Sequence, residues 1–205
     1  MVVVYGAGGH GKVVAEILLA CRQTLAGFID DDIGRTASTV LALPVFGAFE
    51  WLSAHPGAQV GLGIGENHAR EQAALRVQES GSMLLTLVHP SAVVARSARI
   101  DRGAVIMAAA VLNADCVIGE GAIVNTGAIV EHDVQVGGYA HLSPGSTIGG
   151  AAQIGAYAHI GIGATVLPRK HVGNNCMIGA GAVVVDDIAD GQTAYGIPAK
   201  VRGRL

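Results

Sequence analysis

Residues 118–136 read IGEGAIVNTGAIVEHDVQV, and an aliphatic residue recurs in this stretch at every sixth position. The period extends in both directions: stepping by six from Val94 to Val184 meets sixteen positions, and every one is Val, Ile or Leu. Such a strict period predicts a solenoid of short strands joined by tight turns, with the aliphatic residues pointing inward. Three hexads close one triangular coil, so residues i and i+18 are expected to stack about 4.8 Å apart.

The hexads resemble those of left-handed parallel β-helices, and this resemblance supplies the handedness, which spacing alone cannot give. We assign 89–205 to this domain, with about five coils and a C-terminal cap. Residues 1–88 alternate between strand and helix signals, which predicts a small Rossmann-like nucleotide-binding domain with a parallel sheet. The predicted strands are 2–5, 25–29, 59–64 and 84–88, the helices 12–20, 49–54 and 67–80, and a turn covers Gly6–Gly11.

Composition narrows the choice of partners and compartment. The formal net charge is −3 at pH 7, which gives no basic surface for nucleic acid or an anionic membrane. The longest apolar run, 104–112, is too short to cross a bilayer, and the N-terminus carries no basic leader. Three cysteines without metal-ligand spacing suit a reducing compartment. We therefore expect a cytoplasmic protein without a nucleic-acid or membrane partner.

Gly6, Gly8 and Gly11 form a G-x-G-x-x-G motif between a predicted strand and a predicted helix, and Asp30 follows 19 residues after Gly11. This order favours phosphate binding at a helix N-terminus. The alternative is that the glycines only allow the helix to pack on the strand. Because the domain supplies about one mononucleotide half, one nucleotide with a diphosphate fits it better than a dinucleotide. A second glycine stretch, 61–65, is expected to face the same crevice.

His132 lies at a turn of the coils, inside the sequence Glu131-His132-Asp133. A neighbouring carboxylate can orient an imidazole and raise its basicity, so His132 is a candidate general base, although an exposed histidine is often merely solvated. Its stacking partner 18 residues later is Gly150, whose N–H can stabilise a developing oxyanion. Hexapeptide-repeat carbonic anhydrases hold zinc with three histidines, but the spacings here do not match theirs, so we predict no metal.

The outward positions of the coils carry two further expectations. The histidines at 141, 159 and 171 each precede an inward aliphatic residue and are expected on flat outer faces, with His141 stacked on His159. Outward apolar residues favour a homotrimer that covers them; they are Val105, Val111, Val117, Ile123 and Ile129. Cys116 and Cys176 occupy inward small-residue positions, so we expect direct transfer rather than a cysteine nucleophile.

Six motifs occur in one order over essentially the whole chain, and together they carry a family resemblance. They are GAGGHG (6–11), FIDD (28–31), GIGEN (63–67), HPSA (89–92), the hexads with Glu-His-Asp, and GIPAK (196–200). The chain resembles hexapeptide-repeat sugar acetyltransferases: the sialic acid O-acetyltransferases and the bacillosamine- and perosamine-pathway N-acetyltransferases. The resemblance implies an acetyl-CoA-dependent trimer with active sites between subunits and no metal cofactor.

The resemblance also implies roles for individual residues. His132 is the expected general base, supported by Asp133 or by Glu131. The expected acetyl-CoA contacts are His141, Gly150, His159, Ala180 and Lys200. The nucleotide-linked sugar is expected to contact Gly8, Gly9, His10, Asp30, Asp31, Gly63, Gly65, Asn67 and Asn125.

Among the possible functions, we favour N-acetylation of the 4-amino group of a nucleotide-linked amino-deoxy sugar. An ammonium transfers its proton to an imidazole near neutrality more readily than an alcohol does. O-acetylation of sialic acid or another sugar stays open as an alternative. A nucleotide- or NAD-binding redox module on a β-helical stalk needs a second nucleotide half, and a non-enzymatic nucleotide-binding β-solenoid leaves Glu-His-Asp unexplained.

Overall fold

The computed structural model describes residues 1–204. The chain divides into two compact units, Met1–Pro90 and Ser91–Leu205.

The first unit is an α/β domain of three helices, a 3₁₀ turn and seven strands. The helices are α1 (Gly9–Ala20), α2 (Ala48–Ala54) and α3 (Asn67–Glu79), and a 3₁₀ turn covers Ile33–Arg35. The strands are β1 (Val2–Tyr5), β2 (Leu25–Asp30), β3 (Thr39–Val40), β4 (Leu43–Gly47), β5 (Gln59–Leu62), β6 (Met83–Leu84) and β7 (Leu87–Val88).

The sheet of this unit has the strand order β3-β4-β2-β1-β5-β6. All neighbours pair in parallel except β3 and β4, which form an antiparallel hairpin that the sequence analysis missed. The sheet is therefore mixed rather than wholly parallel. Helix α1 begins at Gly9 and not at Lys12, because two glycines of the predicted turn adopt helical geometry. The last predicted strand, 84–88, is divided into β6 and β7.

The second unit consists of sixteen two-residue strands followed by a C-terminal hairpin. The hairpin pairs β24 (Gln192–Tyr195) with β25 (Lys200–Arg204). The repeated strands are β8 (Val93–Val94), β9 (Arg99–Ile100), β10 (Val105–Ile106), β11 (Val111–Leu112), β12 (Val117–Ile118), β13 (Ile123–Val124), β14 (Ile129–Val130), β15 (Gln135–Val136), β16 (His141–Leu142), β17 (Thr147–Ile148), β18 (Gln153–Ile154), β19 (His159–Ile160), β20 (Thr165–Val166), β21 (His171–Val172), β22 (Met177–Ile178) and β23 (Val183–Val184).

These strands build three parallel faces of a β-helix, which confirms the hexad prediction. Face 1 contains β10, β13, β16, β19 and β22; face 2 contains β8, β11, β14, β17, β20 and β23; face 3 contains β9, β12, β15, β18 and β21. Each strand pairs with the strand 18 residues away, as in Ile123 with His141 and His141 with His159. The second residue of every strand is the hexad aliphatic, and all of these are buried except Val94 and Ile100 in the first coil.

The outward residues of face 1 are less exposed than the sequence analysis expected. Val105 and Ile123 are fully buried within a single chain, and His141 is only 8% exposed. The prediction that a monomer would expose Val105 and Ile123 is therefore wrong. Val111, Val117 and Ile129, on faces 2 and 3, are partly exposed.

Candidate active site

The glycines of the motif after β1 serve two different purposes. A Cβ built on Gly11 would lie 1.8 Å from the carbonyl oxygen of Gly6, and one on Gly6 would lie 2.8 Å from that of Gly63, so both positions need glycine for packing. Gly9 has nothing within 4 Å of such a Cβ, and Gly8 has only Arg35 Nη1, at 3.8 Å. Gly8 and Gly9 therefore border open space at the start of α1, as close approach by a phosphate requires.

Asp30 and Asp31 follow β2 and are held by different partners. Asp30 accepts hydrogen bonds from the Ala7 N–H (2.7 Å) and the Asp32 N–H (2.9 Å), so its carboxylate ties the glycine loop to the end of β2. Asp31 accepts from the Tyr5 hydroxyl at 2.9 Å and from the Arg76 guanidinium. Burial, opposed by Arg76 and aided by Asp31, raises the pKa of Tyr5 to about 12, so its hydroxyl remains a donor.

A buried cation lies against the second glycine stretch, 61–65. Arg70 is fully buried, and its guanidinium donates to the carbonyls of Ile64 (3.1 Å) and Gly65 (2.9 Å) and to Asn67 Oδ1 (2.9 Å). Burial, with a smaller contribution from Arg70, lowers the pKa of His10 to about 4, so this imidazole is neutral near pH 7. No motif in the sequence marks Arg70, because its role depends on a tertiary position.

Three residues predicted to contact the nucleotide-linked sugar have structural roles that sequence alone did not reveal. Gly63 packs inside the domain: a Cβ there would lie 2.7 Å from Val4 Cγ1 and 2.8 Å from the Gly11 Cα. Asn67 is 7% exposed and orients Arg70. Gly65 borders the His10 ring, which lies 3.8 Å from where its Cβ would be.

A cleft of about 440 Å³ opens beside Asp31, and its walls include Tyr5, Phe49 and Arg76. Phe49 is 79% exposed. An ion pair and an exposed aromatic ring beside the loop give this cleft both polar and stacking groups for a planar ligand.

His132 and Asp133 form the contact that a general base requires. The turn after β14 places His132 Nδ1 2.8 Å from Asp133 Oδ2, and Asp133 occupies the left-handed region at φ 60°. The imidazole therefore donates from Nδ1 and keeps a lone pair on Nε2. The hydrogen bond to Asp133, aided by the charges of Asp133 and Glu131, raises the pKa of His132 above its usual value. Asp133, rather than Glu131, is the carboxylate in contact.

Gly150 lies directly beside the His132 ring. A Cβ on Gly150 would meet His132 Nε2 at 2.6 Å and Cε1 at 2.8 Å, so only glycine leaves room for the imidazole in this position. Within residues 1–204 the Gly150 N–H makes no hydrogen bond, and it is thus available to an incoming oxygen.

A second histidine cluster lies on face 1. His141 Nε2 is 3.0 Å from Asn125 Nδ2, and Asn125 Oδ1 accepts from the Thr126 N–H at 2.8 Å. This orients the amide so that Nδ2 donates to His141, which places the proton of the neutral ring on Nδ1. The His159 ring lies next to that of His141, with ring centroids 4.8 Å apart and the planes tilted by 49°, and its Nε2 lies 3.0 Å from Ser143 Oγ.

Comparison with known proteins finds relatives that share this sequence and fold. A family model described as the PglD N-terminal domain matches residues 1–77. A histidine variant of perosamine N-acetyltransferase from Caulobacter crescentus, solved with CoA and GDP-perosamine, is 40% identical over 98% of this chain and 96% of its own, with a TM-score of 0.93. The acetyltransferase domain of PglB from Neisseria gonorrhoeae, solved with acetyl coenzyme A, is 40% identical over 98% of both chains, with a TM-score of 0.92. The chain belongs to this family of hexapeptide-repeat acetyltransferases.

A curated relative, UDP-N-acetylbacillosamine N-acetyltransferase from Bacillus subtilis, is 39% identical over 118 residues. The match spans 52% of this chain and about half, 51%, of the relative.

Two expected cofactor contacts of the acetyltransferase lie away from the histidine cluster. Ala180 is exposed at the same corner as Asn125, three coils further along. Lys200 is exposed at the start of β25, where its Nζ lies 3.7 Å from Asp186 Oδ2. Cys116 and Cys176 are buried, and burial raises the pKa of Cys116 to about 11 and that of Cys176 above its usual value, so both remain thiols.

Neither a cluster of metal ligands nor a membrane-spanning helix occurs in the part of the chain that the structure describes. In residues 1–204, no three His, Cys, Asp or Glu side chains come together as a metal site would require. The helices of the same residues include none with the length and apolarity to cross a bilayer.

Proposed function

We propose that the protein transfers the acetyl group of acetyl-CoA to the 4-amino group of a nucleotide-linked amino-deoxy sugar, with His132 as general base. The observation that carries this proposal is the His132 ring, which is held by Asp133 through Nδ1 and lies against Gly150. A proton acceptor and an oxyanion donor thus lie side by side. Nucleotide amino sugars are named for relatives of this chain, including one bound to GDP-perosamine.

The reaction follows from these positions. The neutral sugar amine attacks the thioester carbonyl, and a C–N bond forms while the carbonyl oxygen takes the negative charge next to the Gly150 N–H. His132 Nε2 takes the proton that the attacking nitrogen loses, and Asp133 stabilises the imidazolium. The intermediate then collapses, the C–S bond breaks, and the CoA thiolate receives the proton from His132.

This chemistry favours an amine over a sialic acid hydroxyl as the acceptor. An amine that has added to the thioester is strongly acidic, so a base near neutrality can remove its proton. His132 fits that requirement, because it is an imidazole whose pKa is raised above its usual value.

We further propose a homotrimer in which each active site combines two chains. His132 lies at the corner between faces 2 and 3, whereas His141 lies on face 1, which is opposite that corner in a triangular coil. Given the rise per residue, this separation is on the order of 10–15 Å within one chain. A neighbouring chain that brings its His141 to the first chain's His132 joins the two halves, and cyclic symmetry then closes the assembly.

The groove for acetyl-CoA is proposed along the corner after face 1. His141 and Asn125 lie at its beginning, and Ile162 (63% exposed) and Ala180 lie along it. An exposed isoleucine suits the apolar part of pantetheine. Lys200 is the proposed cation for the CoA phosphates. The proposed location is the cytoplasm, which suits a chain whose three cysteines are free thiols.

Subunit complementation tests the shared site. His132→Ala and His141→Ala chains are expected to have little activity separately, the first through kcat and the second at subsaturating acetyl-CoA. When the two chains are co-expressed in equal amounts and mix at random, an intact His132 meets a neighbour's intact His141 at about a quarter of the sites. Activity is therefore expected to recover to about a quarter of the wild-type sites. No recovery in mixed trimers, or a monomeric mass by light scattering, would refute the shared site. Failure of both UDP- and GDP-linked amino sugars to release CoA would refute the acetyltransferase proposal itself.

A further inference from the structure

Arg35 extends over the glycine loop from the 3₁₀ turn after β2. Its Nη1 donates to the Ala7 carbonyl at 3.2 Å, and its Nε lies 3.3 Å from Asp32 Oδ2. Asp32 is itself fixed, because its Oδ1 accepts from the Gly34 N–H at 2.9 Å. The guanidinium is thus held at two points although the side chain is 48% exposed.

This position borders the open space above the loop. Arg35 Nη1 is the nearest atom to a Cβ built on Gly8, at 3.8 Å, and a Cβ on Gly9 meets nothing within 4 Å. A group resting on Gly8 and Gly9 would therefore contact the guanidinium on one side and the first N–H groups of the twelve-residue helix α1 below. Of the five guanidinium N–H groups, two are used by partners within residues 1–204, which leaves three for a ligand.

The charges around the loop explain why a cation is needed there. Asp30, Asp31 and Asp32 follow one another at the end of β2, and their carboxylates repel an approaching anion. Arg76 is paired with Asp31, and Arg70 is fully buried against Ile64 and Gly65. Of these three arginines, Arg35 is the one that is both exposed and in contact with the glycine loop. The planar guanidinium of Arg35 can donate to two oxygens of one phosphate. Its half-exposed ion pair with Asp32 contributes little to stability, so stability alone does not account for the arginine.

We propose that Arg35 binds the diphosphate of the acceptor and makes the site selective for nucleoside diphosphates over nucleoside monophosphates. This rests on the nucleotide-linked acceptor of the proposed function and extends it, because a sugar linked through a single phosphate would forgo the second phosphate contact. Arg35 could not be predicted from the sequence, since the 3₁₀ turn that carries it has no recognisable motif.

Calorimetric titration of the full chain with UDP, UMP, GDP and GMP tests this. Wild-type protein is expected to bind at least one nucleoside diphosphate about tenfold or more tightly than its monophosphate. Arg35→Gln is expected to weaken diphosphate binding about 10- to 100-fold, the usual effect of losing hydrogen bonds to a charged group, and monophosphate binding less than about threefold. Arg22→Gln, a matched change at an exposed arginine after α1, is expected to behave like wild type.

In the titration, the inference would be overturned by no diphosphate preference in wild type, by the same preference in Arg35→Gln, or by equal losses for both phosphate classes. Arg35→Lys keeps the charge but not the fork and should fall in between, so it decides the matter if the glutamine variant does not fold. Unchanged KM for a nucleotide amino sugar in Arg35→Gln would remove this inference and leave the acetyltransferase proposal intact. If Arg35→Gln lost the diphosphate preference while the wild-type protein acetylated no nucleotide amino sugar, the inference on Arg35 would stand and the acetyltransferase proposal would be refuted.

Discussion

Gly150→Ala is expected to shift the proposed base, His132, and to leave the other elements of the site unchanged. The substitution keeps the Gly150 N–H, and this glycine is not in the left-handed region, so alanine adds no backbone strain. The new Cβ would lie 2.6 Å from His132 Nε2, whereas ordinary contacts between such atoms are about 3.5 Å or longer. The imidazole must therefore move by about 1 Å, which also strains its 2.8 Å hydrogen bond to Asp133. A misplacement of that size can lower kcat about 10²-fold.

The assay is CoA release at saturating acetyl-CoA and nucleotide amino sugar, with the melting temperature measured in parallel. We expect a large loss in kcat with little change in stability, because His132 is 62% exposed and can rotate away without disturbing the core. Gly138→Ala is the matched control, since its Cβ would meet only the Glu120 carbonyl oxygen, at 3.4 Å. A Gly150→Ala enzyme with kcat within about threefold of wild type would show that the position of this ring does not limit the reaction.

Two further predictions concern titrating groups. Asp133→Asn removes the carboxylate that raises the pKa of His132, so the acidic limb of kcat/KM should shift to lower pH and the plateau should fall about 10²-fold or more; an unshifted limb would assign that limb to another group. His10 has a folded pKa of about 4, below the ordinary 6.5, so the unfolded chain binds more protons between these values and stability is lost as pH falls from about 6.5 to 4. Urea unfolding should show that His10→Gln escapes about 3 kcal/mol of this loss, whereas His68→Gln, at an exposed histidine, should not; identical pH profiles for wild type and His10→Gln would contradict the burial argument.

The β-helix was predictable residue by residue because its period is local and strict. An inward aliphatic residue every six positions determines the strands, the faces and the 18-residue register together, and the structure reproduces each of these. The first unit was less predictable. The hairpin of β3 and β4 rests on two- and five-residue strands whose pairing depends on packing beside β2, and no periodicity of the sequence records that.

The site divides in the same way. Glu131-His132-Asp133 is contiguous, so sequence alone identified the candidate base and its neighbours, and the structure selected Asp133 through the left-handed turn. Gly63 and Asn67 have the residue types of a nucleotide site, yet one packs against Val4 and the other orients a buried arginine. Motif spacing carries no information on which side of the loop each residue faces, and this is why Arg35 and Arg70 were missed as well.

The packing and the proposed phosphate contact of the glycine motif are compatible, because they involve different glycines. Gly11 allows α1 to approach the Gly6 carbonyl after β1, and Gly6 allows the Gly63 carbonyl after β5 to approach; a single methyl group at either position would collide with that carbonyl. That approach sets the start of α1, and Asp30 fixes the same loop from the other side through the Ala7 N–H. Gly8 and Gly9 then present open backbone beneath Arg35. The packing glycines thus create the geometry in which the exposed glycines and the arginine form the proposed anion site.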